Sequence, residues 1–391
     1  MLRSLFSGIS GLRAHQTMLD VTGNNIANVN TTGFKTSQAQ FQDTLSQMLT
    51  TAGGAQAGVG GTNPAQVGLG VRTSGITTNF QQCAAQLTNK STDMMISGDG
   101  FFITSKAGEQ LYSRAGAFSF DATGQLVTTD GALVQGWAAD SSGTIDPNSG
   151  LTDLRLPIAT LMGAAATGKA FFEGNLPADA VAGTVLNRTM DVYDAAGTVS
   201  SLDLAFTKTA AGWDVSGAIG AANATGTMTF NPDGTLASGG TLTVGAVTVD
   251  LSTLSGFAGL NTVAAKTQDG RAAGTLQSFT INSDGTLLGA FSNGLKQAVG
   301  RVALAAFTNP GGLEKAGDSA YRTSINSGDP QIGVAGSSGR GSLTGGALEM
   351  SNVDLSAEFT NLIIAQRGFQ ANSRVITTSD EVLQELVNLK R

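Results

Sequence analysis

The chain has 391 residues, of which only 13% are charged, and carries a net charge of -7. That length exceeds one ordinary core and predicts two to four domains, while the acidic balance, with no cluster of Lys or Arg, argues against nucleic acid and anionic membrane as partners. The single cysteine, Cys83, and the single histidine, His15, rule out an internal disulfide and leave too few ligands for a zinc site or a Cys-His nucleophile. Cys83 is expected to be a small buried apolar thiol. The opening MLRSLFSGISGLRAHQ lacks an uninterrupted apolar core and an A-x-A cleavage site, so no Sec signal is expected, and no stretch reaches the length of a membrane span.

In chain order, Leu5, Leu12, Leu19 and Ile26 recur every seven residues, with Leu2, Ile9 and Gln16 three places before the first three. This spacing predicts a long helix with an apolar seam. Gly8, Gly11 and Gly23 interrupt it, each at a cost of about 1 kcal/mol relative to Ala. The pattern runs into NNIANVNTTGFK at 24–35. Asn24, Asn25, Asn28 and Asn30 predict a helix stop, because Asn side chains compete for backbone hydrogen bonds. Thr31, Thr32 and Gly33 are expected to turn the chain, with Phe34 anchoring the bend, so that the stretch acts as a hinge. The Gly-rich stretch 50–70 reads as an extended connector or loop.

The pattern then changes to strands. Asp-Gly pairs at Asp99, Asp130, Asp233, Asp269 and Asp284, and Asn293-Gly294, predict hairpin turns. Alternation is visible at Ala117-Phe118-Ser119-Phe120, at Leu202 to Phe206 and from Thr241 to Leu251. Trp137 and Trp213 are expected to pack small β cores. Ser97-Gly98-Asp99-Gly100 lacks the spacing of a phosphate loop and reads as a turn entering a strand. Asp191, Asp194 and Asp203 are read as solvent-facing strand residues rather than an acid/base pair. A second Gly/Ser stretch, 333–346, leads to a C-terminal heptad of Leu355, Leu362, Phe369, Ile376 and Leu383, flanked by Phe359, Ala365, Leu386 and Val387. Asn352 or Asp354 is its expected N-cap, with Glu358 in the first turn.

If the terminal helices pair, the domains are nested. The expected division is a terminal helical domain at 1–30 and 352–391, an extended connector at 31–88, an inner β domain at 89–165 and 286–351, and an outer β domain inserted at 166–285. Two helices offer each other little surface, and both termini are expected to order fully only when many copies pack their seams together. No catalytic constellation is visible, and neither enzyme activity nor a cofactor is expected.

Four stretches, in order, resemble the bacterial flagellar rod and hook family. LDVTGNNIANVNTTGFK (19–35) is similar to its N-terminal signature, carried here by Asn24, Asn25, Ile26, Ala27, Asn28, Gly33, Phe34 and Lys35. ISGDGFFIT (96–104) and YSRAGAFSFDATGQLVTTDGALVQGW (112–137) resemble its β-domain motifs, and 346–390 its C-terminal helix. The resemblance implies a multidomain α+β fold. Paired coiled-coil-like terminal helices would form a filament core inside nested antiparallel or barrel-like β domains. The seam would be Leu5, Leu12, Leu19, Ile26, Leu355, Leu362, Phe369, Ile376 and Leu383.

It also implies a structural subunit that polymerises with itself, meets rod, hook-filament junction and cap proteins, and leaves through the flagellar type III export apparatus without a cleaved signal. That would place it outside the cell, in the flagellum. Phe41 and Leu45 resemble the short export-gate motif of such substrates. The length and the insertion favour the hook branch of the family. A distal rod subunit is the alternative, and a secreted β-rich adhesin or glycan-binding protein is the alternative from another class.

Overall fold

The computed structural model describes residues 2–54, 58, 60–140, 142–156 and 162–388. The chain forms two compact units: one comprises Met1–Leu156, Thr280–Leu288 and Ala298–Arg391, the other Pro157–Phe279 and Gly289–Gln297.

The first unit holds two long helices, α1 (Leu2–Ala27) and α2 (Leu355–Asn388). Helix α1 stops inside the Asn-rich stretch, after Ala27, where the Asn28 side-chain amide donates to the Asn24 carbonyl at 2.9 Å and competes with the backbone bond. Helix α2 starts at Asp354, whose carboxylate accepts the N–H groups of Ser356 and Ala357 at 2.9 and 3.2 Å. Asp354, not Asn352, is therefore the N-cap.

Between the helices in sequence comes an antiparallel sheet in which Leu133–Ala138 pairs with Phe101–Lys106 and Lys296–Ala306, and Phe101–Lys106 pairs with Glu109–Ser113. Its core packs Phe101, Ile103, Tyr112, Trp137, Phe307 and Tyr321. The rings meet edge to face, Tyr112 and Phe307 at 4.8 Å and 88°. Short pairings of Ala347–Glu349 with Ala85–Leu87, and of Ser342–Gly345 with Met94–Ser97, bring the chain back toward α2.

The stretch read as a connector is extended but paired. Ser37–Asp43 lies antiparallel to Val71–Thr78, and Ser46–Thr50 to Ala65–Gly68, so Gly-rich residues join the arms of a long, mostly exposed hairpin. Ser10 Oγ of α1 accepts the Val71 N–H at 3.2 Å and so ties the hairpin to the helix.

The second unit has a meander of Val185–Tyr193, Val199–Lys208, Trp213–Ile219, Ala222–Phe230 and Leu236–Ser238. Leu202, Leu204 and Phe206 point into its core with Trp213, while Ser201 and Asp203 face out, a strict two-residue alternation. A second sheet is built on Lys169–Asn175. It pairs in parallel with Val247–Asp250 and Leu254–Ser255, and antiparallel with Ala264–Gln268. Parallel neighbours need no shared turn, which is why local turn signals did not reveal them.

Asp130-Gly131, Asp233-Gly234, Asp284-Gly285 and Asn293-Gly294 lie between consecutive paired strands. Asp99 and Asp269 do not. Asp269 instead accepts the N–H groups of Gly168 and Lys169, each at 2.8 Å, and joins segments distant in sequence.

Candidate assembly core and its junction

The two helices run antiparallel, because Ser4 meets Ser379 and Asn25 meets Glu358. Their line of contact is made mostly of small and polar residues, with Ile376 set against Gly8. A Cβ on Gly11 would lie 2.7 Å from Asn372 Oδ1, one on Gly368 2.4 Å from His15 Cε1, and one on Gly8 3.2 Å from Ile376 Cγ1. Glycine at these positions lets the backbones approach closely, so two of the three glycines that weaken α1 locally build its contact. Ser4, Gly11 and Asn25 fall on one heptad position of α1, and Glu358, Ala365, Asn372 and Ser379 on one of α2.

The leucine line follows that contact by one residue on α1 and precedes it by three on α2, where Ile376 reaches the contact at Gly8. In the single chain Leu5, Leu12, Leu19 and Ile26 are half-buried, as are Leu362, Ile376 and Leu383. Leu355 and Phe369 are exposed. Beside them Phe359, Ile363 and Ile364 are 51%, 55% and 53% exposed. Apolar surface of this extent along a helix marks an interaction face.

The Asn-Gly-Phe-Lys stretch forms the junction between helices and sheet. Asn25 donates its amide to the Ser37 carbonyl at 2.8 Å and to Glu358 Oε1 at 3.0 Å, and its Oδ1 accepts the Ser37 N–H at 3.1 Å. Asn24 Oδ1 accepts from the Asn28 amide at 3.1 Å, and Asn28 Oδ1 from the Thr31 hydroxyl at 3.0 Å. Ile26 is half-buried and Ala27 exposed. Gly33 has φ +68° and donates its N–H to the Glu349 carbonyl at 2.8 Å. Phe34 lies under the Lys315 ammonium, 5.4 Å from its ring centre.

Lys35 is wholly buried. It donates to Glu349 Oε1 at 2.6 Å and to the Gln81 carbonyl at 2.8 Å. Arg114 Nη1 stands 3.6 Å from Glu349 Oε2 and donates to the Gly98 carbonyl at 2.9 Å. Asn352 completes the junction, accepting the Thr36 N–H at 2.7 Å and donating to the Asn79 carbonyl at 2.8 Å. The stretch read as a hinge is therefore fastened on both sides, by Asn25 and by Lys35.

Burial pushes the Lys35 ammonium below its usual pKa despite the opposing hydrogen bond and charge of Glu349. It likewise lowers Arg114. The Tyr321 phenol is pushed up to about 12, mainly by burial, with the Arg114 charge pulling the other way. Asp194 is held low by backbone hydrogen bonds, foremost from Thr198, which is the opposite of what a general acid needs.

Phe41 lies on the hairpin near the His15 ring, with centroids 6.4 Å apart, and Leu45 just beyond that strand is 83% exposed. Cys83 is half-buried rather than fully so; its Sγ donates to the Ser351 carbonyl at 3.2 Å and its N–H to the Glu349 carboxylate at 3.1 Å. Sequence reasoning missed Glu349, Arg114 and Glu358 as junction residues. A lone carboxylate in the otherwise uncharged GGALEMSN was the available signal, since an acid in a buried strand needs a cation.

Paired terminal helices that bracket β units, a fastened junction and an uncovered apolar stripe define an axial structural subunit. Three family models match in order. "Flagella basal body rod protein" matches 5–35, "Flagellar hook protein FlgE/F/G D1 domain" 95–160, and "Flagellar basal body rod FlgEFG protein C-terminal" 344–389. The chain is 41% identical to the flagellar hook protein FlgE of Borreliella burgdorferi, over 100% of both chains. It is 36% identical to that of Salmonella typhimurium, over 99% of this chain and 100% of that one. It is also 35% identical to the flagellar basal-body rod protein FlgG of Bacillus subtilis, over 100% of both. A crystal structure of Helicobacter pylori flagellar hook protein FlgE2 shares the fold at TM-score 0.54 and 15% identity, covering 68% of this chain and 100% of that one. The chain belongs to the FlgE/F/G family of flagellar hook and rod proteins.

Proposed function

We propose that this chain is the structural subunit of the bacterial flagellar hook, polymerising head to tail into a curved, flexible tube that transmits torque from rod to filament. The observation that carries this is the apolar stripe of α2, left uncovered by the chain's own α1, in a protein whose full-length relatives include hook proteins. A head-to-tail contact whose rotation does not close gives an open helical filament. The terminal helices would then form a coiled-coil-like core in which neighbours cover the line of Leu5, Leu12, Leu19, Ile26, Leu355, Leu362, Phe369, Ile376 and Leu383. Low-charge Gly, Ser and Thr surfaces on the β units suit contacts that slide as the tube turns.

Its partners in this reading are other copies of itself, the rod, the hook-filament junction proteins, the cap during growth and the type III export apparatus. Export would need no cleaved signal, and Phe41 with Leu45, exposed on the hairpin, fits a gate motif. A purely structural role carries no enzymatic activity.

The rod relative from Bacillus subtilis, matched over its full length, favours a second reading, a distal rod subunit. Electron microscopy of the purified polymer separates the two. Curved tubes are expected, straight rigid ones would make the chain a rod subunit, and the absence of any polymer would reject both. An adhesin, by contrast, would keep its binding activity as a monomer.

A further inference from the structure

We propose that the buried cluster of Lys35, Glu349 and Arg114 is a register lock: it fixes how the two arms enter the helices, and so which faces of α1 and α2 are offered for assembly, rather than adding stability. The inference rests on the hook reading for its consequence, but the lock itself is a property of the single chain.

As a source of stability the cluster is poor. Three charged side chains are 0%, 1% and 2% exposed, and one carboxylate serves two cations. Among the described residues, Arg114 Nε and Glu349 Oε2 have no hydrogen-bond partner. Taking three charges out of water costs more than such incomplete pairing returns, and apolar residues of similar volume would pack here at least as well. Lys35 is accordingly held below its usual pKa by burial.

As a source of register the cluster is well placed. Lys35 comes from the arm leaving α1, Glu349 from the arm entering α2, and Arg114 from the bend that follows the strand Glu109–Ser113. The Gly33 N–H is already bonded to the Glu349 carbonyl, so arm is aligned on arm. A one-residue slip would set Phe34 or Thr36 against Glu349, or Leu348 or Met350 against Lys35, and leave a buried charge alone. Apolar packing is non-directional and imposes no such penalty. The slip matters because each residue of shift turns a helix face by about 100°. It would move Ile363 and Ile364 away from a neighbour and break the close fit of Gly11 with Asn372 and of Gly368 with His15.

The test is the triple variant Lys35→Met/Arg114→Met/Glu349→Leu in the full chain, which removes all three charges together. Helix register is read by a disulfide between Ser4→Cys and Ser379→Cys, whose native hydroxyls lie 3.3 Å apart. The exposed pair Lys266 and Glu173, changed to Met and Leu, is the control for loss of charge and should alter nothing. The expected result is a thermal midpoint equal to or above the parent's, with both crosslink yield and tube yield at least tenfold lower. Unchanged crosslinking and tube yield would overturn the lock. A lowered midpoint or failure to fold would also overturn it, by making the cluster a stability element. If the parent crosslinks but forms no tubes, the hook reading fails, and crosslinking alone still decides the lock.

Discussion

Gly23 and Gly33 look alike in the sequence and answer to opposite physics. Gly23 lies inside α1 with nothing within 4 Å of where a Cβ would stand. Gly23→Ala should therefore stabilise the helix by about 0.8–1 kcal/mol, read as increased hydrogen-exchange protection along α1. Gly33 has φ +68°, and a Cβ there would meet Ala115 N at 2.6 Å. Gly33→Ala should cost about 1–3 kcal/mol in denaturant unfolding, since backbone cannot step aside and the left-handed conformation disfavours a side chain. Tyr321 gives a pH test. Its folded pKa, about 12, lies above the ordinary value of 10.0, so the folded state prefers the neutral phenol. The contribution is fully present below pH 10 and lost as pH rises through 12, by roughly 3 kcal/mol in all. Tyr321→Phe should remove this fall, measured as the difference between the two unfolding profiles across pH 10 to 12. At this scale the signature's Gly33 was legible because a turn needs it. The partner of Lys35 was not, because Glu349 lies far away in sequence and spacing carries no information about which distant strand returns to the junction.

Between elements, the heptad reading and the structure differ in an instructive way. Both helices stand where the seven-residue period put them, α1 over Leu2–Ala27 and α2 over Leu355–Asn388. Within the chain, however, the contact runs along Gly8, Gly11, Asn372 and Gly368, and leucines flank it. Periodicity reports which face avoids water, whereas close approach is set by which residues are small, and those two lines need not coincide. Strand alternation at Leu202 to Phe206 was equally legible, because a half-buried strand must alternate. The parallel pairing of Lys169–Asn175 was not, since its partner strand comes after the whole meander. Ile363→Asp and Ile364→Asp test what the flanking apolar face is for. Both positions are more than half exposed in the single chain, so monomer stability should change by no more than about 0.5 kcal/mol. Tube formation and motility should nonetheless be lost, since assembly would bury an unpaired carboxylate. Normal motility of either variant would show that this face of α2 meets no neighbour.

For the whole molecule, the helices are the proposed means of assembly and the β units fold without them. Among the described residues, the cores around Trp137 and Trp213 draw no buried residue from either helix. The junction cluster of Lys35, Arg114 and Glu349 also lies wholly between residues 31 and 352. A fragment of residues 31–352 gives up the anchors of Asn25 on Ser37 and of Ser10 on Val71, which hold the hairpin to α1, but keeps the bonds of Asn352 to Thr36 and Asn79. It should therefore remain a folded, β-rich monomer by circular dichroism and sedimentation, with the long hairpin gaining solvent exposure. Hydrogen exchange should quicken over Ser37–Asp43 and Val71–Thr78 and stay unchanged in the strand Phe101–Lys106. The same fragment should form no tubes at any concentration, because the face that neighbours would cover is gone while the β surfaces carry few charges to lock one subunit to the next. Tubes assembled from it at the full chain's efficiency would transfer the work of assembly from the terminal helices to the β units.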